Sequence, residues 1–156
     1  MSEPVVHPLA TRALEPFVGQ WAVLLTTYKR DGTPVGTAVN IVVEDDHAYF
    51  RTWDTAWKLR RISSNPEVEV APCTPLGRPK GPSLRASARV LEGKESARAG
   101  RLLARKYPVM HGILVPLIHR LRKNTTMHIE LRPAEYASQD HGRRKRHQDA
   151  ISPSSA

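Results

Sequence analysis

Residues 21–43 read WAVLLTTYKRDGTPVGTAVNIVV, and the architecture turns on them. Trp21 to Tyr28 is an apolar, partly β-branched run of strand length. Asp31-Gly32 follows within Lys29 to Pro34, and Asp-Gly between two apolar runs is a strong hairpin signal. Val35 to Val43 is then the return strand. Val35, Thr37, Val39, Ile41 and Val43 alternate with Gly36, Ala38, Asn40 and Val42, so both faces are apolar or small. Such a strand is covered on both sides, as in a barrel wall that also meets a partner.

Working outward, Glu44-Asp45-Asp46 marks a second turn, and His47 to Trp53 is a third strand. A short helix begins near Asp54 or Thr55 and is stopped by Asn65-Pro66. Glu67 to Cys73 is a fourth strand. Residues 74–83 hold three prolines and two glycines and read as an irregular loop. Leu84 to Leu91 is a fifth strand and Met127 to Leu131 a sixth. Three further helical stretches are predicted: Leu9 to Val18, Lys94 to Tyr107, and Met110 to Leu121 with a kink at Pro116. Six strands joined mainly by hairpins predict a mainly β protein, a six-stranded antiparallel β-barrel with helices. The early connections are too short for the crossovers of a parallel sheet.

The chain has 156 residues and a formal net charge of +9. We expect one folded unit over residues 1–136 and a basic disordered tail over 137–156. That tail carries Arg143-Arg144-Lys145-Arg146 and no apolar period. Its net +2 leaves about +7 on the body, which favours an anionic ligand, nucleic acid or an acidic surface. A single cysteine, Cys73, rules out an internal disulfide framework and reads as a small buried apolar residue. No metal site is expected, since His111 and His119 are not spaced as a helical ligand pair. Met1 to Pro8 lacks a signal pattern, and no apolar run approaches the roughly 20 residues of a membrane span. A cytoplasmic location is expected.

Chemistry concentrates in RTWDTAWKLRRISSNPEVEV, residues 51–70, where three cations, Lys58, Arg60 and Arg61, crowd a helix of about two turns between two strands. Cations on a short helix are ordinarily a solvated face. Here Lys58 falls in the first turn, beside N–H groups that lack intrahelical partners, and Arg61 shares a flank with it three residues on. Leu59 and Ile62 are placed to pin the helix to the barrel. The arrangement suits a phosphate or carboxylate. Trp53 and Trp57 read as core or dimer contacts, Tyr28 and Tyr107 as possible proton donors, and Arg51 either as a ligand group or as a structural partner.

The order of these motifs resembles the flavin/deazaflavin oxidoreductase family, the split β-barrel proteins related to pyridoxamine 5′-phosphate oxidase. The motifs are Asp31-Gly32-Thr33-Pro34, then Gly36-Thr37 entering the second strand, then Thr52, Lys58 and Asn65-Pro66. Ala71-Pro72-Cys73 and Gly77 to Pro82 resemble the branch that uses coenzyme F-420. The resemblance spans about residues 14–132. It implies a homodimer with the cofactor at the subunit boundary. It implies phosphate binding by Lys58, Arg60 and Arg61, with Arg51 and Thr52 at the strand end beside them. It implies that Gly36, Thr37, Ala38, Val39 and Asn40 lie along the ring system. Trp53 and Trp57 depart from the small or polar residues expected there, and Asn40 stands where many relatives carry an aromatic.

The function so implied is hydride transfer between reduced F-420 and a small-molecule substrate. Four rivals stay open: an FMN (flavin mononucleotide) enzyme on the same barrel, haem-related chemistry, a non-catalytic carrier of the cofactor, and a basic nucleic-acid-binding barrel.

Overall fold

The computed structural model describes residue 6, residues 8–108 and residues 125–134. Helix α1 (Pro8–Leu14) runs into a 3₁₀ turn (Glu15–Phe17). Seven strands follow, β1 (Ala22–Tyr28), β2 (Pro34–Val39), β3 (Ile41–Glu44), β4 (His47–Trp53), β5 (Glu67–Cys73), β6 (Leu84–Leu91) and β7 (Thr126–Pro133). Helix α2 (Trp57–Ser64) lies between β4 and β5, and α3 (Gly93–Lys106) follows β6. The helix expected over residues 110–121 and the tail over 137–156 lie outside the described residues.

All seven strands form one antiparallel sheet in the order β2-β1-β5-β6-β7-β4-β3. One expectation needs correction here. The return strand over residues 35–43 is not continuous: it breaks at Asn40, and this gives seven strands rather than six. Its first half pairs with β1, Val23 opposite Val39 and Thr27 opposite Val35. Its second half pairs with β4, Ile41 opposite Phe50. β2 and β3 are therefore the two edges of the sheet, yet a single residue joins them. A flat sheet cannot satisfy that, so the sheet curls until its edges meet: a split barrel.

Alternation decides what fills it. Val23, Leu25, Val39, Ile41, Phe50, Val68, Val70, Ala86, Ala88, Ile129 and Leu131 point inward and are buried. Leu14 and Phe17 join this core from the N-terminal helical segment, and Ile62 joins it from α2. Helix α3 packs on the outside, where Ala99 meets Tyr49 and Leu91. The first hairpin turns as Asp-Gly predicts. Gly32 sits at φ 86°, its N–H donates to the Lys29 carbonyl at 2.9 Å, and Asp31 Oδ1 accepts from the Thr33 N–H at 3.0 Å.

The closure at Asn40 is held by polar side chains. Asn40 Nδ2 donates to the Trp21 carbonyl at 2.9 Å. Lys106 Nζ, from the end of α3, donates to the Ile41 carbonyl at 2.7 Å. The Tyr107 hydroxyl lies 2.9 Å from both the Trp21 and the Ile41 carbonyl oxygens. Tyr107 is only 2 % exposed, so these carbonyls have little access to water. Its hydroxyl is engaged with the backbone, which replaces the expectation that it serves as a proton donor.

Tyr107→Phe removes the hydroxyl and keeps the ring. It is expected to destabilise the fold by about 0.5–1.5 kcal/mol, the net worth of one lost hydrogen bond, since Asn40 and Lys106 still reach the two carbonyls. Lys94→Gln, at an exposed position of α3, is expected to change stability by no more than about 0.5 kcal/mol. Equilibrium denaturation of both variants checks this. A Tyr107→Phe protein as stable as the parent would show that the closure does not lean on this hydroxyl.

Candidate functional site

Helix α2 begins at Trp57, two or three residues later than the sequence suggests, because Asp54 to Ala56 form a turn closed by the Ala56 N–H on the Trp53 carbonyl (3.0 Å). The residue before it, Ala56, supplies no side-chain cap, so no side chain occupies the first N–H groups of the helix. The helix docks through Ile62, which is 3 % exposed, and through Leu59. That docking turns its cationic side toward the end of the first hairpin. Arg61 Nε donates to Thr27 Oγ1 at 2.6 Å, and Thr27 is itself 1 % exposed, so a buried β1 hydroxyl anchors one edge of the guanidinium.

Between α2 and the hairpin lies a groove of about 770 Å³, lined by Tyr28, Lys29, Arg30, Val35, Trp57, Arg60, Arg61 and Ser64. Four of these eight residues are cations. Lys58 adds a fifth on the same helix. Among the described residues, none of the five has a carboxylate within 4.0 Å; every ion pair found lies elsewhere, on Arg89, Arg98, Arg132 and His47. Burial, and then the neighbouring Arg61, pull the Lys58 amine below its usual range. Like charges held together without counter-charges are a standing cost to the protein. A bound anion relieves it.

Arg60 and Trp57 form a pair of their own. The Arg60 guanidinium carbon lies 4.9 Å from the centre of the Trp57 ring, and Trp57 is 69 % exposed. Trp57 is thus not core, one of the two roles expected for it, while its exposure is compatible with the other, a dimer contact. Tyr28 lines the opposite wall. Burial, followed by the Glu69 carboxylate, pushes its hydroxyl above the usual range, so it is a proton-bearing donor at neutral pH.

The other anticipated residues fall in two further places. Gly36 and Ala38 are exposed on the outer face of β2, immediately after the groove residue Val35, while Thr37 and Val39 alternate inward. A methyl group at Gly36 would sit 3.0 Å from Leu24 Cδ1, so the strip must stay small. A methyl group added at Gly77 of the 74–83 loop would meet Ala38 Cβ at 3.9 Å. The amide of Asn40 is engaged at the closure. Thr52 points into the core at 5 % exposure. Arg51 is on the outer face of β4, under α3, where its Nε donates to His128 Nε2 at 3.3 Å. Because Nε2 accepts, His128 carries its proton on Nδ1 and passes it toward Ser96 Oγ at 2.7 Å. Arg51 is therefore built into a structural network and does not line the groove. Lys29 and Arg30 were missed by sequence reasoning. The available signal was two adjacent cations at a hairpin tip, but their approach to α2 is a tertiary contact.

The chain belongs to the pyridoxamine 5′-phosphate oxidase family, whose pattern it matches over residues 10–139. Comparison with curated proteins gives no match. Several solved structures share its fold. A protein of unknown function from Agrobacterium tumefaciens aligns at 23 % identity and TM-score 0.61, over 85 % of this chain and 58 % of that one, so this chain spans under two thirds of it. The heme storage protein HutZ of Vibrio cholerae aligns at 19 % identity and TM-score 0.56, over 77 % and 89 %. An F420 reductase aligns at 19 % identity and TM-score 0.53, over 77 % and 92 %. At these identities the likeness is one of fold. Among the described residues, no helix is long and apolar enough to cross a membrane.

A polyvalent anion should bind the groove with a pH dependence set by Lys58. An unperturbed lysine titrates near 10.5, and Lys58 loses its proton below that. Inorganic pyrophosphate affinity is expected to be flat near neutrality and to start falling below pH 10.5. In Arg61→Gln the affinity is lower by roughly ten- to hundredfold, for a lost charge-assisted bond of about 1.5–3 kcal/mol, and the onset of the fall moves to higher pH. Calorimetric titration across the pH range checks both. An onset unmoved in Arg61→Gln would separate Lys58 from the site.

Proposed function

We propose that this protein is an oxidoreductase that binds coenzyme F-420 and transfers a hydride between the reduced cofactor and a small organic molecule. One observation carries the reading: four cations of α2 and the adjacent hairpin line a groove of ligand size, with Lys58 beside them on α2, and among the described residues none of the five has a carboxylate within 4.0 Å. Lys58 and Arg61, on one flank of α2, would hold the cofactor's phosphodiester, with Arg60 at the rim. Lys29 and Arg30 extend the positive surface toward further negative charge, which suits a cofactor with an anionic tail better than a single terminal phosphate. The small strip of Gly36 and Ala38 gives a flat face for a ring system, next to Val35 at the groove and beneath Gly77.

The bound cofactor supplies the hydride chemistry at its ring carbon C5. The chain's own groups bind, orient and exclude water. Tyr28 lines the groove, and its hydroxyl is hydrogen-bonded to the Glu69 side chain, so this pair is the candidate for moving a proton. The protein acts as a homodimer in this reading, with the exposed face of β2 and the 74–83 loop meeting the partner and the cofactor at the boundary. Leu76, nearly fully exposed at the tip of that loop, fits such a contact.

FMN on the same cations is the alternative, since its phosphate suits the same pair. Haem finds less support: among the described residues lining the groove there is no histidine, cysteine or methionine.

Titration with F-420 and with FMN, each against the parent and Lys58→Ala, tests the proposal. F-420 is expected to bind more tightly than FMN, and Lys58→Ala to weaken it by roughly ten- to hundredfold. A preference for FMN would keep the fold and change the cofactor. Turnover of reduced F-420 with a panel of quinones and enones then separates an enzyme from a carrier. Failure of both cofactors, together with salt-sensitive binding of single-stranded oligonucleotide, would move the groove to nucleic acid.

A further inference from the structure

Two features of the groove exceed what a phosphate clamp needs. Its volume, about 770 Å³, lies in the range of sites that enclose whole organic ligands. Its walls carry two aromatic rings, Tyr28 and Trp57, beside the apolar Val35. Trp57 is the more informative. A tryptophan at the first position of an amphipathic helix would ordinarily be turned into the core. Here Leu59 and Ile62 take the inward positions, and Trp57 is left 69 % exposed on the groove side. Arg60 rests on its ring, 4.9 Å from the ring centre, with no carboxylate to hold it. A guanidinium on an indole face is a weakly held cover. It can swing aside when a flat ring takes its place and can then meet that ring's anionic substituent from the edge.

We infer that the groove binds a planar aromatic anion of small-molecule size, with Trp57 as the ring platform and Arg60, aided by Lys29 and Arg30, as the anion receptor. As a statement about substrate, this rests on the oxidoreductase reading above: the aromatic acid would be the molecule reduced or oxidised beside the cofactor, whose phosphodiester occupies the Lys58–Arg61 flank. As a statement about binding it stands alone. Charge selects the anion, since among the described residues none of the four groove cations has a carboxylate within 4.0 Å. Shape selects the flat ring, since the groove is lined by the Trp57 indole and the Tyr28 phenol. The family pattern does not supply this residue: Trp57 stands where the motif leads one to expect a small or polar side chain.

The probe is 2-naphthoate, with cyclohexanecarboxylate and inorganic pyrophosphate as anions that lack an aromatic ring. Binding is followed by calorimetry, and by tryptophan fluorescence in the parent and in Trp57→Phe. Trp57→Ala is expected to weaken 2-naphthoate about tenfold, the order of one lost ring-on-ring contact. Pyrophosphate should weaken no more than about threefold. Trp57→Phe keeps a ring and should bind 2-naphthoate within about threefold of the parent, while losing the fluorescence response. Saturating F-420 should leave 2-naphthoate binding in place. Equal losses for naphthoate and pyrophosphate in Trp57→Ala would overturn the inference, because Trp57 would then only position Arg60. So would equal affinity for naphthoate and cyclohexanecarboxylate, or displacement of naphthoate by F-420, which would give the whole groove to the cofactor. A protein that ignores F-420 but shows the naphthoate pattern would retain this inference and refute the cofactor assignment.

Discussion

A single residue, Asn40, joins the two edge strands of a seven-stranded sheet, and every other placement follows from the curl this imposes. A sheet forced to meet its own edge brings the β1–β2 hairpin to the rim of the barrel. Helix α2, inserted between β4 and β5, then plugs that end through Ile62 and faces the hairpin. The closure is polar rather than apolar. Asn40, Lys106 and Tyr107 direct donors at the Trp21 and Ile41 carbonyls. Helix α3 is thereby tied at its C-terminal end to the seam. Its body packs outside the sheet on Tyr49 and Leu91.

The same geometry explains why the cations gather where they do. Arg61 is anchored to Thr27, a hydroxyl buried in the wall of the barrel, and so cannot move away from Lys58. Each cation alone would be an ordinary solvated charge, and exposed ion pairs contribute little in any case. Burial first, and then the neighbouring Arg61, lower the affinity of Lys58 for its proton. The contrast with the opposite side of the molecule is direct. There Glu44, Asp46, Glu95 and Glu130 pair with Arg89, Arg98, Arg132 and His47, and the charges are internally neutralised. One region of the protein satisfies its charges within itself; among the described residues the groove cations have no carboxylate within 4.0 Å.

Much of this could be read from residue order. Period-two alternation and the Asp31-Gly32 turn gave the hairpin, and the strands at 47–53, 67–73 and 84–91 match their predicted bounds. The break at Asn40 escaped because Val39, Asn40 and Ile41 continue the alternation without a proline or glycine to mark a change of partner. Only the pairing of Ile41 with Phe50 reveals it. For the site, the α2 cations were legible as a cluster on one short helix. Lys29 and Arg30 were not, since nothing local says that a hairpin tip will face a helix thirty residues on. Arg51 read either as a ligand group, as the family resemblance implies, or as a structural partner. Its strand position puts it on the outer face, where His128 receives it. Trp57 defeated the usual rule that large apolar residues point inward, because Leu59 and Ile62 had already filled the inward stripe.

The central claim is that the α2–hairpin groove is an anion site built for a cofactor. A crystal structure of the protein with F-420 tests it most directly. The account predicts phosphate oxygens within hydrogen-bonding distance of Lys58 Nζ and the Arg61 amino groups, with the ring along Gly36 and Ala38. Density for the phosphate elsewhere, with Lys58 and Arg61 still facing solvent, would contradict it.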